Sequence, residues 1–402
     1  MTHPSVVVVG VGADGWSGLT PRSRDELCSA SLVAGSARQL DLLPDTVTAH
    51  RHSWATPMLD DLDALLAGES GTVHVLASGD PMFHGVGATI VRRIGADRVR
   101  VLPAVSSATL AAARMGWDLA RATVLSVVTD PVDSVLAEAG NGLRLLVLGR
   151  DSRTPTELAH VLAANGFGAS RLTVLANLDG PGESRTTGTA DVWSDMGGDP
   201  LAVIAVECVG PPLIRSAGLD DDAYDNDGQL TKAGVRALTI AALAPAAGET
   251  LWDIGGGAGS IAVEWCRADR RCTAWTFESD AARRGRIATN AARHGVTRSI
   301  TIAGAAPGSF PSAAVPDAIF VGGGLTDPGM VDACWAALRP GGRLVANAVT
   351  VESEHLVVGE QRSRGGDLRR IHLESASPLG TMTTWRPVLP VTQWIARKPE
   401  DR

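Results

Sequence analysis

Short valine-rich runs alternate with Ala/Leu-rich amphipathic stretches along nearly the whole chain. SVVVVG, SLVAG, TVHVLASG, RVRVLP, ATVLSVV, RLLVLG, RLTVLANL and LAVIAVE lead up to Glu207; TLWDIGGG, CTAWTFESD, SITIAG, DAIFVGGG and RLVANAVT follow a break. Uninterrupted apolar runs separated by helix-length segments predict parallel strands with crossover helices, because a strand covered on both faces has no polar side to show. The break, VGPPLIRSAGLDDDAYDNDGQ, carries Pro211-Pro212 and five acids between Asp220 and Asp227, and reads as an exposed connection. A chain of 402 residues exceeds one ordinary core. The expected fold class is therefore α/β in two tandem units, residues 1–208 and 227–402, with a linker at 209–226.

Composition narrows the function classes. No apolar run approaches the ~18–20 residues that span a bilayer, and MTHPS has no basic segment followed by a hydrophobic one, so the expected location is the cytoplasm. A net charge of −8 argues against nucleic acid and anionic membranes as partners. Five cysteines without CxxC spacing fit reduced thiols, and His50 and His52 in HRH, with nothing nearby to complete a metal shell, read as a solvated loop. No metal is expected.

The opening Gly10, Gly12 and Gly15 match GxGxxG, the dinucleotide fingerprint. Their surroundings do not fit it. WSGL intervenes before the helix signal, Thr20 as cap with Pro21 behind it, and SLVAGSARQL offers no ribose-binding carboxylate. The reading is a tight loop at the mouth of a pocket, with Gly10 and Gly12 facing substrate.

The second half has a stronger signal. In LWDIGGGAGSIAVEWC, Asp253 ends a strand, Gly255, Gly257 and Gly259 make the turn, and Ile261, Ala262 and Trp265 form the apolar face of a helix. Glycines suit a place where a ligand must approach the backbone beside a helix N-terminus. Glu278, nineteen positions after Gly259, ends the next strand, where a carboxylate can accept both hydroxyls of a ribose. Gly257, Gly259 and Ala262 also satisfy the relaxed spacing GxGxxA, so a nicotinamide dinucleotide and S-adenosylmethionine are both open at this point. DxGxGxG favours the methyl donor, because Asp253 can meet its amino group and no pyrophosphate needs cradling. Thr231 in LTKAGVRALTI is the expected cap of a helix closing over the pocket.

AALRPGGRLVANAVT resembles the post-helix turn of class I methyltransferases. Together with TK...VRALT, WDIGGGAGSIAVEW, FVGGGLT and GTMTTWRPVLPVTQW, it resembles the decarboxylating precorrin C15-methyltransferases over about residues 227 to 395. That resemblance implies S-adenosylmethionine contacts at Thr231, Gly255, Gly256, Gly257, Ala258, Gly259, Glu278 and the AGAAP loop around Ala306. One departure is Ala305, where relatives often carry Asp.

In the first half, Ser78-Gly79-Asp80-Pro81 and Ser106-Ser107 follow strands, each with an ordinary reading as a turn or a helix cap. Taken with the opening glycines and VLANLDGPGES, they resemble the tetrapyrrole methylase fold, with its two α/β subdomains, over about residues 5 to 207. The resemblance implies a cofactor pocket at Gly79, Asp80, Met82, Ser106 and Ser107, with the opening loop facing a tetrapyrrole. Here the usual Pro-Gly-Ile-Ser-Ser reads Pro103-Ala104-Val105-Ser106-Ser107. Asp80 is the single candidate acid or base.

Both halves together resemble the fused precorrin-6Y C5,15-methyltransferases of cobalamin biosynthesis. The implied reaction methylates precorrin-6 at C5 and C15 and decarboxylates the C12 acetate to give precorrin-8. Two S-adenosylmethionine sites per chain, a precorrin substrate met by arginines and by the amides of Gly322, Gly323 and Gly324, and a homo-oligomer are implied with it. The alternatives are a nicotinamide-dependent oxidoreductase using the Gly255–Gly259 loop and a non-catalytic tetrapyrrole-binding protein.

Overall fold

Val6 to Val9 are all buried, so the opening strand has neighbours above, below and on both sides, as the run of four valines requires. The computed structural model describes residues 6–68, 71–194, 199–312 and 314–400. It divides into two units, residues 1–132 with 139–211, and residues 133–138 with 212–402.

The first unit holds two five-stranded sheets. In the first, β1 (Val6–Val11), β2 (Leu32–Gly35), β3 (His50–Ser53), β4 (Val73–Ser78) and β5 (Val99–Leu102) run in the order β3-β2-β4-β1-β5, all parallel. HRH, expected as a solvated loop, is instead the edge strand β3, where His52 Nε2 lies 2.8 Å from Asp61 Oδ2. The second sheet contains β6 (Thr123–Ser126), β7 (Arg144–Leu148), β8 (Arg171–Ala176), β9 (Ser184–Thr189) and β10 (Ala202–Glu207) in the order β6-β7-β10-β8-β9. Only β6 and β7 pair in parallel. The expectation of parallel strands fails here: the connection 177–183, with Asn177 and Asp179 at positive φ, returns β9 antiparallel beside β8, and β10 runs antiparallel between β7 and β8.

The second unit is a seven-stranded sheet, β13-β12-β11-β14-β15-β19-β16. Its strands are β11 (Thr250–Ile254), β12 (Thr273–Phe277), β13 (Ile300–Ala303), β14 (Ala318–Val321), β15 (Arg343–Ala348), β16 (Asp367–Ile371) and β19 (Val391–Arg397); β17 (Glu374–Leu379) and β18 (Met382–Pro387) form a separate hairpin. β11 to β15 are parallel, and β19 enters antiparallel beside β15. From β11 the chain builds outward to β12 and β13, then returns to β14 on the other side. The strand order thus reverses between β11 and β14, the position where open α/β sheets leave a crevice for ligands.

Residues 217–226, expected to be part of an exposed connection, are tied into this unit. Tyr224 is buried, and the carboxylate of Glu264, on the helix Ser260–Ala268, accepts from Gly218 N at 2.7 Å, Leu219 N at 3.1 Å and the Tyr224 hydroxyl at 3.1 Å. Arg236, with no exposed surface, donates to Glu264 at 2.6 Å and to the Thr231 carbonyl at 2.5 Å. A buried charge pair keeps its place only when its remaining donors and acceptors are met, and the backbone of this segment meets them.

Candidate functional site

In the first unit a cavity of about 510 Å³ opens at the C-terminal ends of β1, β2 and β4, closed from the second sheet by Leu148–Arg150 and 200–203. Gly12, Gly79 and Ser107 line it. Gly79 has φ +58°, which disfavours a side chain, and a Cβ there would make ordinary contact with the backbone of Val105 to Ser107, 3.4–3.6 Å away. Main chain thus lies beside main chain at this edge of the cavity.

Gly10, Asp80, Met82 and Ser106 are placed differently, each for a local reason. A methyl at Gly10 would collide with the Gly79 carbonyl and lie 2.6 Å from Ala104 N, so that glycine serves the approach of three loops. Asp80 Oδ1 accepts from Met82 N at 2.9 Å, closing its own turn and leaving Met82 exposed. Ser106 caps the helix Ser107–Met115 by accepting from Thr109 N at 3.1 Å. The opening glycine loop does not enter a helix directly: a short 3₁₀ turn, Gly15–Gly18, precedes Pro21–Cys28, capped by Thr20 as expected.

Sequence reading missed the polar side chains of this cavity. Arg38 Nη2 and Gln39 Nε2 both donate to Ser78 Oγ, at 3.0 and 3.1 Å, and all three line the wall with His84 and Arg150. His84 holds φ +54°, a conformation that non-glycine residues keep mainly where surrounding structure enforces it. The position of SARQ just after the strand SLVAG was the available signal for Arg38 and Gln39.

The second unit's pocket, about 660 Å³, lies at the β11/β14 reversal. Two glycine loops meet there. Gly255 has φ +72°, and a Cβ on it would sit 2.6 Å from both N and Cα of Gly323. A Cβ on Gly256 would strike Thr276 Oγ1. Asp253, Gly255, Gly256, Gly257, Ala258, Thr231, Glu278 and Gly322 to Gly324 all line the pocket. Gly259 and Ala306 do not: Gly259 packs on Ile287, and Ala306 on the apolar cluster around Trp252.

Two expected roles change. The cap of the helix Ala233–Leu243 comes from Asp221, whose Oδ1 accepts from Ala233 N at 3.0 Å, not from Thr231. The amides of Gly322 and Gly323 both donate to the Ile254 carbonyl, at 2.9 and 3.2 Å, and so are already used. Asp253 is fully buried; burial pushes its carboxyl up to about 7, against hydrogen bonds from Ala262 N and from Thr276 Oγ1 at 3.4 Å. Ala262 is in the first turn of the helix Ser260–Ala268, so Asp253 serves the free amides of that turn.

Glu278 is buried with its oxygens aimed by backbone: Oε2 accepts from Gly257 N at 2.8 Å and Oε1 from Asp280 N at 2.9 Å. A carboxylate held this way at the end of the strand beside the glycine loop keeps lone pairs for the two hydroxyls of a ribose. The pocket's cations are engaged, Lys232 with Asp221 at 3.3 Å and Arg283 with Asp227 at 3.0 Å. Residues missed in the sequence are Arg236 and Glu264, visible only as single charges on otherwise apolar helix faces, and Asn347, a lone polar residue in RLVANAVT. The residues fit an adenosine-bearing methyl donor: the cradle a Cβ would fill and the ribose carboxylate stand at the same strand ends.

Residues 5–191 match the family model for tetrapyrrole (corrin/porphyrin) methylases, and residues 222–398 match the precorrin methyltransferase domain. Precorrin-6Y C(5,15)-methyltransferase (decarboxylating) of Mycobacterium tuberculosis (strain CDC 1551 / Oshkosh) is 48% identical over 396 residues, covering 98% of this chain and 100% of the relative. The protein of that name from Sinorhizobium sp is 44% identical over 398 residues, covering 98% and 96%. Among solved structures, the C-terminal domain of precorrin-6Y C5,15-methyltransferase from Rhodobacter capsulatus shares 42% identity, covering 46% of this chain and 100% of that one, with a TM-score of 0.44. The two relatives matched over nearly the whole chain do not support the nicotinamide or carrier alternatives. With identity of this level running through both halves, the chain belongs to the precorrin-6Y C5,15-methyltransferase (decarboxylating) family.

Proposed function

We propose that this chain methylates precorrin-6Y at C5 and C15 and removes carbon dioxide from the C12 acetate, giving precorrin-8 for cobalamin biosynthesis, with one S-adenosylmethionine site in each unit. The observation that carries this reading is 48% identity over 98% of the chain to a relative named for both methylations and the decarboxylation. We assign C5 to residues 1–208 and C15 with the decarboxylation to residues 227–402, joined through 209–226. The tetrapyrrole methylase match at 5–191 and the precorrin methyltransferase match at 222–398 support that division.

When bound, the methyl donor supplies a sulfonium-activated methyl group. In the second unit Glu278 would hold the ribose hydroxyls, and Gly255 to Ala258 would let the donor approach the backbone. In the first, Gly79 and Ser107 would hold it, while Arg38 and Arg150 stand where acidic side chains of the macrocycle would enter. A bridging carbon of a reduced tetrapyrrole is already electron-rich, so the protein's main contribution is alignment in a site that excludes water.

Buried thiols at Cys208, Cys266, Cys272 and Cys334 support a cytoplasmic, reducing setting. Leu379, Met382, Trp385 and Leu389, exposed on and beside the β17–β18 hairpin, support a homo-oligomer, which sedimentation would size. Mass spectrometry of precorrin-6Y after incubation with enzyme and S-adenosylmethionine tests the activity. Two methyl groups gained and one carbon dioxide lost is the expected product; unchanged macrocycle would overturn the reading.

A further inference from the structure

The wall of the second pocket opposite the glycine loop comes from the ends of β15 and β19 and residues beside them: Asn347, Val349, Val388, Leu389 and Val391. Of these five, only Asn347 has a polar side chain. Its geometry is set from behind. Thr239 Oγ1, fully buried, donates its hydrogen to the Val235 carbonyl at 2.8 Å, so that oxygen can only accept from other partners. Asn347 Nδ2 donates to it at 3.0 Å and Gln393 Nε2 at 3.2 Å, and Gln393 Nε2 also donates to Asn347 Oδ1 at 3.0 Å.

One hydroxyl therefore decides which way round both amides stand. The arrangement leaves Gln393 Oε1 buried without a partner, at a cost in free energy. What it secures is an Asn347 amide held with one N–H and one oxygen lone pair not used by Thr239 or Gln393.

We infer that Asn347 binds and orients the acetate carboxylate that the substrate loses, with Gln393 and Thr239 as its positioning residues. This rests on the reading that the second unit carries out the decarboxylation. The chemistry favours a neutral donor. An amide fixes the direction of a carboxylate without the charge stabilisation of an arginine, which would oppose loss of the charge. The bond between the acetate methylene and its carboxyl carbon breaks, its electron pair passes into the conjugated macrocycle, and carbon dioxide leaves. The methylene carbon then takes a proton from water and becomes a methyl group.

Full-length enzyme with precorrin-6Y labelled in the C12 acetate carboxyl tests this, with labelled carbon dioxide, C5 methylation and calorimetric S-adenosylmethionine affinity as readouts. For Asn347→Leu we expect carbon dioxide release to fall at least tenfold, with C5 methylation within twofold and donor affinity within threefold. Asn347→Asp should lose release at neutral pH and regain part of it as acid neutralises the new carboxylate. Thr239→Val should lower kcat for release with little change in KM, and Thr239→Ser should restore it. Release within twofold of wild type in Asn347→Leu overturns the inference alone. Loss of donor affinity in parallel with release overturns it in favour of a structural role. Absence of release by the wild-type enzyme overturns the underlying reading itself.

Discussion

Two glycine loops with nearly the same spelling do different work in the two units. Gly10-Val11-Gly12 is glycine-rich because β1 ends where the Gly79 carbonyl and Ala104 N come too close for a side chain, and it leads into a 3₁₀ turn. Gly255 to Gly259 take positive φ at 255, 257 and 259 and lead directly into a helix, beside a carboxylate aimed at the pocket. A glycine pattern thus records where backbone must come close; only the strand end, helix start and acid around it tell whether the close neighbour is a ligand or another loop.

The largest test concerns what covers the second loop. Gln229 and Thr231 reach the pocket because residues 217–231 are latched by Arg236 and Glu264. Arg236→Met should cost about 3–5 kcal/mol in urea unfolding, since a buried Glu264 is left without its cation. The double change Arg236→Met with Glu264→Leu should recover part of this and keep a deficit, because the Gly218 and Leu219 amides lose their acceptor. Full recovery would show that the latch is not what holds the segment.

Next come the loops themselves. Gly255→Ala meets both an unfavourable φ and the Gly323 backbone, so donor binding in the second unit should weaken by about 100-fold or more, read by calorimetry. Gly10→Ala should instead cost about 1–3 kcal/mol of stability through overpacking, with second-unit donor affinity unchanged. Equal binding losses from the two substitutions would erase the distinction between them.

Two groups of the second unit have opposite pH dependence. Asp253 titrates at about 7 when folded against 3.8 ordinarily, so the folded state holds an extra proton between those values; its contribution is full below pH 3.8 and is lost as pH rises through 7. Asp253→Asn should flatten that fall in urea midpoints between about pH 4 and pH 7. If Asp253 braces the helix start, donor affinity should stay within threefold; contact with the donor's amino group predicts a loss beyond tenfold.

His294 runs the other way. Its Nε2 donates to the Ala223 carbonyl at 3.0 Å and its Nδ1 accepts from Arg267 at 3.3 Å, so the ring is neutral, and burial with Arg267 beside it lowers its titration to about 4. The unfolded chain binds more protons between 6.5 and 4, so stability is present above 6.5 and is lost as pH falls toward 4. His294→Gln should remove that acid sensitivity.

How much of this was legible follows from range. Thr20 with Pro21, Ser106 as a cap and the strand, glycines, helix and Glu278 of the second unit are local signals, settled within a few residues or at a fixed offset, and the structure has them in place. The antiparallel second sheet was not legible, because buried strands read as apolar runs whichever way they point. Asn347, Gln393 and Thr239 come from three distant segments, and each alone is an unremarked polar residue in an apolar run. The 217–226 segment misled for a related reason: five acids suggest solvent, but Asp221 caps a helix and Asp227 pairs with Arg283 and Arg286.

The smallest effect belongs to the residue that the sequence offered as an acid or base. Asp80 Oδ1 closes a turn onto Met82 N at 2.9 Å, and the side chain does not line the first cavity. An Asx turn needs an acceptor and not a charge. Asp80→Asn should therefore keep C5 methylation within about twofold and stability within about 0.5 kcal/mol of wild type. Asp80→Ala, which removes the acceptor, should cost about 0.5–1.5 kcal/mol, the range of a single intramolecular hydrogen bond. Retention in the first variant with decline in the second identifies a turn; a tenfold or greater loss of C5 methylation in Asp80→Asn, with stability intact, would return the carboxylate to the chemistry and make the first unit more like the second, with an acid at its ligand.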